Sequence, residues 1–120
     1  MRGLTIILTE NVPERLRGGL MIALTHQALG GRARLFFQFE AVALLLPPIS
    51  ASADPAHLAA GLPSLAALID DALISGVELI LCQTGLHLTD ARADQFDPRC
   101  TFGGLASILA DLGEDRLLAL

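Results

Sequence analysis

The chain has no lysine, no tryptophan and no tyrosine, and each absence removes an activity. Without lysine there is no phosphate-loop lysine, no Schiff-base amine and no lysine general base. Without Trp or Tyr the platforms on which single-stranded bases usually stack are missing, and 13 acidic against 8 basic residues leave a net charge of −5 that opposes phosphate backbones. No nucleic-acid partner is expected. Cysteine is scarce as well. Cys82 and Cys100 are too few for a four-thiolate site, and His26, His57 and His87 show no metal-ligand spacing with them, so no metal is expected. Apolar stretches such as Ala41 to Leu46 fall far short of the roughly 18 residues that cross a bilayer. The run from Gly3 to Leu8 gives way to Thr9, Glu10 and Asn11 where a secretory signal would continue. These features point to a cytoplasmic protein with no membrane association.

What the chain does have is apolar side chains, 52% of its 120 residues, enough for one core in one domain over 1–120. Leu4 to Leu8 reads as a strand buried on both faces. Asn11 with Glu14 has the form of a capping box, Pro13 suits a first turn, and Leu16, Leu20, Ala23, Leu24 and Ala28 recur at helical spacing before Gly30 and Gly31. Leu35 to Phe39 is the next strand candidate, with a short helix from Glu40 to Leu46 stopped by Pro47 and Pro48. Residues 49 to 63 have turn chemistry and read as a mobile surface loop. Ser64 can cap a helix marked by Leu65, Leu68, Ile69, Ala72 and Leu73 that ends at Gly76. Val77 to Cys82 is the strongest strand. Leu105 to Leu112 forms a last helix, Gly113 closes it, and Arg116 to Leu120 is a terminal strand. Strands alternating with helices predict an α/β fold, a three-layer sandwich with a mostly parallel sheet flanked by helices.

Ligands of such sheets bind beyond the carboxyl ends of the strands. That edge should gather Thr9, Glu10 and Asn11, then Phe39 and Glu40, then Cys82, Gln83, Thr84 and Gly85. Cys82 is the most reactive group among them. If Gln83 to Leu86 turns into a helix, free N–H groups favour the thiolate, although the position equally suits a small buried hydrophobe. Cys100 reads as an ordinary, partly exposed thiol, and its spacing from Cys82 neither demands nor forbids a disulfide. Gly103 and Gly104 could let backbone approach a ligand or begin the last helix. His87 could lie near the Cys82 thiol, His26 and His57 read as solvated or structural, and the Glu10–Glu40 pair reads as a solvated rim.

Three blocks together resemble the DsrE/DsrF-like family of small α/β sulfur-relay proteins: Leu4 to Leu8, Leu35 to Leu45, and Leu79 to Leu86 continuing to Phe102-Gly103-Gly104-Leu105-Ala106. The likeness spans nearly the whole chain and sets Cys82 at the family's cysteine position. It implies a cysteine that carries sulfur as a persulfide between donor and acceptor proteins, with no cofactor, in a chain that assembles as trimers or hexamers. Asn11, Glu40, Gln83, Thr84, Gly85, Cys100, Gly103 and Gly104 are then candidate binding residues around a catalytic Cys82. The alternatives are a thiol redox protein using Cys82 with Cys100, and a noncatalytic oligomeric binding module. The high apolar content independently leads us to expect self-association.

Overall fold

The apolar segments become five strands, β1 (Leu4–Leu8), β2 (Ala33–Phe37), β3 (Glu78–Cys82), β4 (Thr101–Gly103) and β5 (Arg116–Ala119), in a computed structural model that describes residues 1–120. They form one sheet in the order β4-β3-β2-β1-β5. Every neighbouring pair is parallel, so the fold is α/β with a sheet that is wholly rather than mostly parallel.

The chain steps outward from β1 to β4 and then returns to lay β5 on the far side of β1. Right-handed crossovers put the helices of the outward and return paths on opposite faces. Helices α1 (Pro13–Ala28) and α3 (Leu65–Ile74) accordingly pack together on one face, where a Cβ on Gly19 would meet Leu35 and Ile6. The short α5 (Leu105–Ala110) lies on the other, where Arg34 donates from Nη2 to the Ile108 carbonyl at 3.0 Å. The central strands are thus covered on both sides, and all five residues of β1 and of β2 are buried.

Polar residues inside those strands are matched rather than exposed. The Arg34 Nε donates to Thr5 Oγ1 at 2.8 Å, and that hydroxyl donates to Asp115 Oδ2 at 3.1 Å. Arg34 and Asp115 approach to 3.9 Å. A buried guanidinium without such partners would cost several kcal/mol, roughly, so this cluster is what permits β2 to begin at Ala33 instead of at Leu35, where the apolar run starts.

Several expectations need correction. No Asn11–Glu14 capping box forms: Val12 is the N-cap, and the Glu14 carboxylate instead accepts from Arg17 Nε at 2.8 Å. Strand β2 ends at Phe37, before the predicted Phe39, and a 3₁₀ helix over Phe39–Leu45 takes the place of the short α-helix. The segment 49–63 holds a helix, α2 (Asp54–Ala59), too short to show a periodicity. It is anchored, since Asp54 Oδ1 accepts from buried Arg17 at 2.7 Å and from Leu65 N at 3.0 Å. Strand β4 was hidden because Thr101-Phe102-Gly103 is three residues long. Ser64 does cap α3, accepting from Ala67 N at 3.2 Å.

Candidate functional site

The carboxyl end of β3 runs directly into α4 (Gln83–Leu88), and Cys82 is both the last strand residue and the helix N-cap. The turn into a short helix expected after Cys82 is there. Helix α4 packs against the 3₁₀ segment that follows β2, which brings Phe39, at its start, beside Cys82. Cys82 is buried, at 6% exposed, while Gln83 and Thr84, which follow it, are exposed.

Burial by itself raises a thiol, and it does so at Cys82. The N–H groups of Gly85, Phe39 and Thr84, with the Thr84 hydroxyl, more than offset it and hold the thiol below the ordinary cysteine value. The donors come from two separate segments. His87 is exposed in the last turn of α4 and is not among the groups that act on the thiol.

Of the candidate residues, Gln83, Thr84 and Gly85 adjoin Cys82 along α4, and Glu40 is exposed in the first turn of the 3₁₀ segment packed on that helix. Gly103 stands opposite Cys82 in the β3–β4 register. Asn11 follows β1, two strands away and so about 10 Å across the sheet. Glu10 pairs with Arg15 at 4.0 Å instead of joining Glu40.

Of the two roles expected for Gly103 and Gly104, beginning the last helix is the one the structure gives, at Gly104. A Cβ on Gly103 would meet Ile80 Cγ2 at 3.3 Å rather than the thiol, and one on Gly104 would point into open space. Gly104 has φ −123° and ψ 159°, a conformation open to any residue, and caps α5. The glycine that the site does require is Gly85. A Cβ there would run into the Phe39 carbonyl oxygen and come within 2.5 Å of Val42 Cγ2.

Cys100 is also buried, at 7% exposed, which corrects the expectation of a partly exposed thiol. It lines a cavity of about 320 Å³ with Leu45, Ile49, Ile69 and Phe96. Burial and the Asp97 carboxylate push its thiol up to about 11. Gly103 pairs with Cys82, and Cys100 stands just before β4, three residues earlier in the chain and on the order of 10 Å away by strand geometry. A disulfide needs Cα atoms within about 7 Å, a separation this arrangement exceeds. Both cysteines are free, so this arrangement holds no disulfide between them.

The sequence places Phe39 at this edge but gives no sign of its contact with the thiol. Phe39 is a non-glycine residue at φ 53°, and only its backbone contributes to the thiol environment, so residue type gave no signal. No three His, Cys, Asp or Glu side chains converge to hold a metal, and no helix is long and apolar enough to cross a membrane.

No protein-family model matches the chain, and no curated protein sequence does. Solved structures do resemble it. The crystal structure of the YchN protein from E. coli superposes with a TM-score of 0.75 at 15% identity over 100% of both chains. The structure of MTH1491, a protein of unknown function from Methanobacterium thermoautotrophicum, gives 0.72 at 11% identity, again over 100% of both chains. At such identities the likeness establishes a shared fold.

Proposed function

We propose that the chain is a DsrE/DsrF-like sulfur carrier that holds sulfane sulfur as a persulfide on Cys82. The observation that carries this reading is the division between the two buried cysteines: one thiol is surrounded by backbone donors and lowered, the other is desolvated and raised. The shared fold with YchN and MTH1491 supports it only at the level of architecture.

In the proposed chemistry the Cys82 thiolate attacks a sulfane sulfur of a polysulfide or of thiosulfate. A new S–S bond forms on Cys82 while the donor's S–S bond breaks, and the shortened polysulfide or sulfite leaves with the electron pair. An acceptor thiolate then attacks the outer sulfur and Cys82 leaves as thiolate, so no external oxidant or reductant is needed. The donors from Gly85, Phe39 and Thr84 lower the basicity of Cys82, which makes it a better leaving group in that second step. The reading requires a donor protein and an acceptor protein, takes the chain to work in the cytoplasm, and includes assembly of several copies. Exposed Met21, Ile22, Leu29 and Leu117 offer apolar surface for that assembly.

Intact mass after incubation with polysulfide tests the proposal. One extra sulfur, removable by a small thiol, is expected on the unmodified chain and absent in Cys82→Ala. Equal uptake by Cys82→Ala would reject the assignment. Absence of uptake from either donor would favour a cysteine that only packs.

A further inference from the structure

The backbone around Cys82 contains two features that packing of a core strand does not require. Phe39 occupies the left-handed region at φ 53°, where a bulky side chain is rare, and its side chain remains 46% exposed. Gly85 lies so close to that residue that an added Cβ would strike the Phe39 carbonyl oxygen and sit 3.0 Å from its carbonyl carbon. The ring's burial does not explain the conformation. The backbone contact does, because α4 and the 3₁₀ segment meet main chain to main chain only if residue 85 has no side chain and residue 39 turns left-handed.

We infer that Gly85 and Phe39 are positioning residues for Cys82, forming a main-chain clasp that holds the Phe39 N–H beside the sulfur. This rests on the reading that Cys82 is the reacting thiol. The strain at Phe39 is of the kind that surrounding structure must enforce, and here Gly85 and Val42 enforce it. The clasp adds a donor from outside α4 to those of Thr84 and Gly85 within it. Titratable groups on the two clasped elements are Glu40 and His87, both exposed and neither acting on the thiol. Beyond them, β3 has only Glu78 at its far end and β4 has none.

The test is the pH profile of iodoacetamide labelling at Cys82, resolved by peptide mass in the full chain. Gly85→Ala should separate the clasp and raise the labelling midpoint by about one pH unit, which makes labelling near pH 7 roughly tenfold slower. Phe39→Asn accepts the left-handed backbone and should keep the original midpoint, whereas Phe39→Val, β-branched and excluded from that region, should raise it as Gly85→Ala does. Val and Asn both remove the ring, so a role for the aromatic side chain would shift both variants equally and overturn the inference. An unchanged midpoint in Phe39→Val would also overturn it, even if Gly85→Ala fails to fold. If these shifts occur in a chain that takes up no sulfur from polysulfide, the clasp stands and the carrier reading falls.

Discussion

Cys82 and Cys100 are buried to nearly the same degree, 6% and 7% exposed, one ending β3 and the other just before the neighbouring β4, and yet their thiols move in opposite directions. Burial therefore does not decide reactivity here. Around Cys82 the main chain turns its N–H groups inward, from α4 and from Phe39. Cys100 instead lines a cavity shared with Leu45, Ile69, Phe96, Gln95 and Arg99, and the Asp97 carboxylate adds a negative potential that Arg99 opposes. Desolvation wins where nothing opposes it, and it loses where a few fixed dipoles do.

The largest expected consequence of this contrast is in alkaline stability. A thiol whose folded value is about 11 against an ordinary value of 9.0 holds its proton longer in the folded state. Its contribution is intact below pH 9 and is lost as pH rises toward 11, amounting to about 3 kcal/mol from two units at 1.36 kcal/mol each. Cys82 has the opposite sign, because its lowered value means the unfolded chain binds more protons between the two values, and stability there rises with pH. Urea titrations from pH 8 to 11 should show the alkaline loss in the unmodified chain and its disappearance in Cys100→Ala. A loss that persists in that variant would contradict the environment assigned to Cys100.

A smaller effect separates the serine variants. Cys100→Ser replaces a thiol whose burial is the first cause of its raised value by a more strongly hydrated hydroxyl, which should cost about 1–3 kcal/mol. Cys82→Ser places it where the N–H groups of Gly85, Phe39 and Thr84 can be accepted, so its loss should stay below about 1 kcal/mol. Urea midpoints of the two variants measure the difference, and equal losses would mean the donors do not reach position 82.

The least effect belongs to Asp97→Asn. Burial is the first cause of the raised Cys100 thiol and the Asp97 charge the second, while Arg99 opposes them. Removing the carboxylate should therefore lower the Cys100 midpoint only modestly, with labelling at pH 9 increasing no more than several-fold. A return to ordinary cysteine behaviour would show that charge, not desolvation, sets this thiol.

The legible part of the molecule was whatever repeats along the chain. Leu4 to Leu8 read correctly because five consecutive buried residues need only be apolar, and α3 read correctly because Ser64 and the spacing of Leu65, Leu68, Ile69 and Ala72 agree. Errors arose where a distant partner decides. Arg34 inside β2 depends on Thr5 and Asp115, and the order in 49–63 depends on Arg17 meeting Asp54 from 37 positions away. At the site, the position of Cys82 at a strand-to-helix junction was legible. Its separation from Cys100 was not, since it follows from the pairing of Gly103 with Cys82 through a strand too short to foresee. The part played by Phe39 was also hidden, because a backbone amide has no signature in residue type.

The central claim, that main-chain donors single out Cys82 from an equally buried thiol, is tested most directly by the relative alkylation rates of the two cysteines. Measured by peptide mass from pH 6 to 10 in the folded chain, Cys82 should label roughly tenfold or more faster than Cys100 below pH 9, because its thiol is lowered while that of Cys100 is raised, the gain in thiolate being partly offset by lower nucleophilicity. Equal rates, or faster labelling of Cys100, would contradict the account.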